Sequence, residues 1–233
     1  MVDDDFPFYN GRPALVTGGR WWIVLLGVLL GFAALIALPV PGLLGVWTRA
    51  ILFVAIPLVV YARVVPGHWT AIFRRLRFRD LGTMVLFALL NLVIMLVLGV
   101  LLLHAAGLAA NPLGDDLAKM PTGERILTFL AMVPQLFGEE LFSVLPFLAL
   151  LYWLHHRLAL SRSTAVVVAW LATAVIFGVA HLPTYDWNLV QCFVIIGTAR
   201  LVLLLAYFRT KNILVAAGAH ILNDWAMFGL ALA

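Results

Sequence analysis

Long runs of Leu, Val, Ala and Ile without period-two alternation dominate the chain, and charge, proline and glycine punctuate them. A bilayer core of about 30 Å takes roughly 20 apolar residues of helix, and a spanning segment must satisfy its own backbone hydrogen bonds. Runs of this kind therefore read as transmembrane helices and exclude barrel strands. They predict spans at Trp21–Leu38, Thr48–Val65, Leu81–Ala106, Ile126–Leu154, Ser163–Leu182, Trp187–Phe208 and Asn212–Leu232. The expected fold class is all-α, a polytopic bundle of about seven spans. The fourth run is longer than one perpendicular crossing requires and contains Pro134 and Gly138. It predicts either a kinked helix or an interfacial piece followed by a span, which would make eight. The expected division is a tail over 1–20, accessory helices over 21–125 and a core over 126–233.

Composition agrees with a lipid solvent: 64% of the residues are hydrophobic and 11% charged, with a mean hydropathy of +1.08. Soluble domains carry roughly 25% charge, so a water-soluble globule is excluded. The net charge of +4 does not imply nucleic acid, because the basic residues concentrate in alternate loops. Arg63, Arg74, Arg75, Arg77 and Arg79 fall in one, His155, His156, Arg157 and Arg162 in another, and Arg209 and Lys211 in a third. The intervening loops hold Asp115, Asp116, Lys119 and Glu124, then Asp186, with Arg49 at the edge of the first. The positive-inside rule then predicts a cytoplasmic N-terminus and a C-terminus outside, and the expected location is a bacterial plasma membrane. The segment FRRLRFRD is expected along the anionic lipid leaflet.

Trp21, Trp22, Trp47, Trp69, Trp153 and Trp187 lie near span ends and are expected as interfacial anchors. The single cysteine, Cys192, permits no intrachain disulfide and reads as packing. The N-terminal stretch lacks the pattern of a cleaved secretory signal and is expected to be retained.

The residues that change the picture are ionisable groups inside the spans, each costing at least about 2.5–3.5 kcal/mol to insert. Glu139 and Glu140 are adjacent in the fourth span. A carboxylate pair in low dielectric suits a general acid or base. Phe177 and His181 are one helical turn apart in the fifth span, and so are His220 and Asp224 in the seventh, beside the small residues Ala216, Ala217 and Gly218. By itself His181 reads as interfacial, as does His104; Asn91 and Gln135 read as interhelical hydrogen-bonding residues, and Asn223 is expected to point away from the cluster.

Two chemistries can use this set. A glutamate can activate water for peptide hydrolysis, with one histidine assisting and the other polarising the carbonyl. Alternatively, Glu139, His181 and His220 can hold a divalent metal such as zinc. No HExxH helix and no GxSxG elbow is present.

The order and spacing of these motifs resemble the CPBP intramembrane proteases, the CAAX-protease and bacteriocin-processing (Abi) family. Its pattern is a Glu-Glu pair with Arg four residues on, then Phe-x-x-x-His, then His-x-x-x-Asn or Asp, each on a different helix. Glu139-Glu140, Phe177 and His181, and His220 and Asp224 match in that order, over roughly Ile126 to Leu232. The resemblance implies a catalytic core over 126–233 in which Glu139 activates water with His181, His220 and Asp224 form the oxyanion side, and Glu140 supports the site. An ionised Asp224 cannot donate to an oxyanion, so orienting His220 is the role it fits. The family's Arg position is Val144 here. Arg200 is the one basic residue deep in a span, and it is expected to face the carboxylate pair in its place.

The expected function is thus an intramembrane endopeptidase acting on a membrane-associated peptide or protein, with no cofactor unless the metal chemistry holds. Its expected partners are that substrate and membrane lipid, with no nucleic acid and no implied oligomeric state. A degenerate scaffold that lost its Arg and a proton-coupled transporter using the same groups as a relay are the alternatives.

Overall fold

In a computed structural model, which describes residues 5–232 with the side chains of 104–106 excepted, the regular elements among the described residues are all helical. The helices are α1 (Gly18–Ala37), α2 (Gly42–Val64), α3 (Phe78–Ala106), α4 (Pro112–Lys119), α5 (Thr122–His156), α6 (Arg162–His181), α7 (Gly197–Thr210) and α8 (Ile213–Ala231). A π-helical turn, Gln191–Ile196, runs directly into α7. Among the described residues seven helices are long and apolar enough to cross a membrane, the sixth of them counting the π turn with α7.

The fourth run forms one helix of 35 residues, about 52 Å at 1.5 Å per residue, so the split into two segments does not occur. Pro134 and Pro146 lie within it. Its place explains the tolerance: α5 packs against α1, α2, α6 and α8, and 78% of its apolar window is buried, against 17% for α3. Neighbouring helices supply the packing that a proline-interrupted ladder loses. Gly138 sets the distance to α2, since a Cβ there would stand 2.5 Å from the Phe53 ring.

The loops sort into two ends. At one end Asn212, before α8, exchanges hydrogen bonds with the backbone of Arg74 (3.2 and 2.9 Å), and Arg162 pairs with Asp5. At the other, Gln191 pairs with the backbone of Ala109 (2.8 and 2.9 Å) and Asn111 donates to the Tyr185 hydroxyl (3.2 Å). The second end also holds α4, a helix too short and polar for a hydropathy reading to find. Asn111 caps it, accepting from the amide of Leu113 at 3.0 Å.

Within the expected tail, residues 5–16 pack against the bundle. Phe6 sits edge-on to Phe147 and Phe208, both with centroids 5.0 Å away. Phe8 meets Trp21 and Tyr61. Trp21 is therefore fully buried, not the interfacial anchor expected, because this aromatic arm covers it. Trp22, 65% exposed, keeps the expected setting. His104 lies outside the described side chains.

Burial raises the Asp5 carboxyl, but hydrogen bonds from Arg162, Tyr9 and the Phe6 amide outweigh that and hold it at about 2. A depressed carboxylate contributes stability that is present above its unfolded value and lost as pH falls through the folded one. Docking of the arm is thus expected to weaken between about pH 4 and pH 2, read as increased limited proteolysis before residue 18; constant cleavage across that window would contradict the assignment. Gly138→Ala is expected to cost about 1–3 kcal/mol through overpacking against Phe53, measured by thermal unfolding in detergent.

Candidate active site

The carboxylates, imidazoles and guanidinium of α5, α6, α7 and α8 converge in the lower-dielectric interior. Gly178 on α6 lets the π turn approach, since a Cβ there would be 2.7 Å from the Cys192 carbonyl oxygen. The Gly197 amide bonds back to that same carbonyl, five residues earlier. Such a turn shifts the phase of the following helix, and π turns recur at functional sites. Here α7 turns Arg200 inward, where it is 1% exposed.

Arg200 Nη1 donates to Glu140 Oε1 at 2.6 Å, both side chains being essentially without exposed surface. The same oxygen lies 2.9 Å from His220 Nδ1. Since a carboxylate only accepts, Nδ1 carries the hydrogen. This leaves His220 Nε2 toward two further carboxylates, Asp224 Oδ1 at 3.6 Å and Glu139 Oε2 at 3.8 Å. The Arg200 guanidinium also stacks over the Phe177 ring, 4.0 Å from its centroid, and His181 lies against Phe177 with centroids 4.3 Å apart.

His181 is oriented from its own helix. Its Nδ1 is 2.8 Å from the Phe177 carbonyl oxygen, so Nδ1–H donates and Nε2 keeps a free lone pair. Glu139, His181, Arg200, His220 and Asp224 all line one cavity of about 710 Å³ with a largely apolar wall. His181 ends α6 and His220 is the eighth residue of α8, yet the cavity reaches both. Glu140 is withdrawn behind them with no exposed surface.

Three residues outside the expected cluster join it. Asn223, expected to point away, is 5% exposed and lines the cavity. Its Nδ2 donates to Asp224 Oδ1 at 2.9 Å, and its Oδ1 accepts from Asn91 of α3 at 2.9 Å. Three residues from His220, it shares the same helix face that residues four apart share. Tyr185 lies parallel to the His181 ring, 6.4 Å between centroids. Its hydroxyl is pushed up to about 12 by burial and by the Asp224 and Glu139 carboxylates, against the lowering effect of Asn111; it therefore stays protonated at neutral pH. The sequence signal was its spacing of four from His181. Gln135 also lines the cavity. Val144, where the resemblance implies Arg, is fully buried.

Among the described residues no three His, Cys, Asp or Glu side chains are disposed to hold a metal ion. Glu139, His181 and His220 share the cavity without converging on a common point of coordination.

Removing one partner of a buried ion pair strands the other charge at a cost of about 3–5 kcal/mol, whereas replacing both by apolar groups costs far less. Arg200→Met and Glu140→Gln are each expected to lower the unfolding temperature in detergent markedly, and Arg200→Met combined with Glu140→Met to recover part of the loss. A double variant as unstable as the sum of the singles would contradict the pairing.

Residues 121–226 match the family model described as type II CAAX prenyl endopeptidase Rce1-like. Neither the curated proteins nor the solved structures gave a match. The matched stretch runs from the start of α5 into α8 and contains Glu139, Glu140, His181, Arg200, His220 and Asp224; Arg49 and Asp116, which also line the cavity, lie outside it. The chain is an integral membrane protein whose residues 121–226 form an Rce1-like domain of the CPBP/CAAX protease family.

Proposed function

We propose that the chain is an intramembrane endopeptidase that hydrolyses a membrane-associated peptide or protein by glutamate-activated water. The family supports protease activity in general. The single observation that carries the finer reading is the division of labour between adjacent carboxylates. Glu140 is sealed against Arg200, while Glu139, the partly exposed member, faces the cavity beside two imidazoles.

In this reading Glu139 takes a proton from a water that attacks the scissile carbonyl carbon, and the lone pair of His181 Nε2 shares in positioning that water. His220, with Nδ1–H held by Glu140, presents Nε2–H to the developing oxyanion when doubly protonated. Asp224 fixes the ring and is itself held by Asn223 and, through it, Asn91. Glu139 then returns the proton to the leaving amine. No step needs a metal ion.

The cavity wall reaches Leu108, Asn111, Met120 and Tyr185, all at the end away from the basic loops; no described residue of those loops lines it. A one-sided opening favours an enzyme over a relay connecting both faces. With the basic end in the cytoplasm, the site opens outward, and the C-terminus lies outside. A degenerate scaffold would leave the carboxylate pair without a cation, since Val144 supplies none; Arg200 supplies one to Glu140.

Purified protein in detergent is expected to cleave members of a peptide library. Glu139→Gln should reduce the rate about 10²–10⁴-fold with little change in unfolding temperature, and His181→Ala should also slow it strongly. A chelator should leave the parent rate unchanged. Chelator-sensitive cleavage would refute the metal-free mechanism, and undiminished cleavage by Glu139→Gln would refute its base.

A further inference from the structure

A second cavity, of about 750 Å³, lies at the other end of the molecule, away from the proposed catalytic groups. Its wall carries six cationic side chains, Arg74, Arg75, Arg77, Arg79, Arg209 and Lys211, and among the described residues a single acidic one, Asp80. That carboxylate is already engaged at the start of α3, where its Oδ2 accepts from the Arg77 amide at 2.7 Å.

The two chain segments forming the wall are far apart in sequence and are clamped together. The buried Asn212 side chain accepts from the Arg74 amide and donates to the Arg74 carbonyl, which fixes the loop before α3 against the turn between α7 and α8. Lys211 makes that turn in a left-handed conformation, φ 53°. The cavity is thus a shape built by the fold and not a loose basic tail.

Its level is set by the spans around it. It lies where α3 and α8 begin and α7 ends, which is the depth of lipid headgroups. Leu76 and Phe78, interleaved with the arginines, are 48% and 93% exposed. Apolar side chains standing out beside cations at a span end match an acyl-chain boundary, not water.

We propose that this cavity is a binding site for the phosphate-bearing headgroup of an anionic phospholipid. Arginine forks complement phosphate oxygens, and basic pockets between spans on the positive side are suited to anionic headgroups. The acyl chains would run along the exposed faces next to Leu76 and Phe78. Bound there, the lipid would tie α3 to α7 and α8, the last two of which carry Arg200 and His220.

The test titrates purified full-length protein in neutral detergent with short-chain phosphatidylglycerol, phosphatidylcholine and inorganic phosphate. Bound lipid is read by native mass spectrometry and unfolding temperature in parallel. Phosphatidylglycerol is expected to bind one per protein and raise the unfolding temperature, phosphatidylcholine far more weakly. The triple variant Arg75→Gln, Arg77→Gln, Arg209→Gln is expected to lose at least about tenfold in affinity. Arg75→Gln alone, at an exposed position, provides a folded variant with a smaller loss. The pair Arg20→Gln and Arg63→Gln, which removes two exposed cations at the start of α1 and the end of α2 and outside the cavity wall, should leave affinity within about twofold. Equal losses in that control, or equal binding of the two lipids, would overturn the site. Inorganic phosphate binding as tightly as phosphatidylglycerol would overturn the lipid as its source.

Discussion

A carboxylate with no exposed surface, inside a bundle of apolar helices, must be neutralised where it stands. Glu140 meets that constraint with the guanidinium of Arg200 at 2.6 Å and the Nδ1–H of His220 at 2.9 Å. Neither charge can leave without stranding the other at a cost of several kcal/mol. The pair therefore fixes the rotation of α5, α7 and α8 about their axes, and the remaining polar groups take positions relative to it. Glu139, one residue earlier, turns to the cavity; His220 presents Nε2 to Glu139 and Asp224; the guanidinium face holds Phe177, which in turn carries His181. Much of the buried charge is thus structural, and only its outer layer faces the cavity.

The parts of this arrangement legible in sequence were those that violate the solvent. Acids and imidazoles in spans are costly enough to stand out, so Glu139, Glu140, His220 and Asp224 could be read directly, and Arg200 could be named because no other cation lies so deep. Gradations of burial were not legible: nothing in the letters says that Glu140 is sealed and Glu139 is not. Asn91 was legible as the interhelical hydrogen-bonding residue it proves to be, but its partner Asn223 escaped for a related reason. An amide in a span costs less than a charge and finds partners readily, so it carries no comparable signal, and a spacing of three from His220 was discounted in favour of a spacing of four.

The fold shows the same division. Spans were readable from hydropathy because length and apolarity are properties of a single segment. The docking of Phe6 and Phe8, the burial of Trp21 and the cap of α4 depend on partners far away in the chain. The π turn before α7 belongs here too: Gly178 leaves it room to approach α6, and the helix beyond it carries Arg200 into the bundle.

The supply of a cation to Glu140 by Arg200, in place of position 144, is the claim on which the account stands. Val144 is one turn beyond Glu140 on the same helix face, an orientation that favours an acid followed by a base. Hydrolysis rate and unfolding temperature of Arg200→Leu should both fall, and adding Val144→Arg to that variant should restore a substantial part of both by returning a cation to Glu140 from its own helix. If Val144→Arg alone folds normally and yet rescues neither quantity in the Arg200→Leu background, Arg200 is not the replacement for the missing arginine.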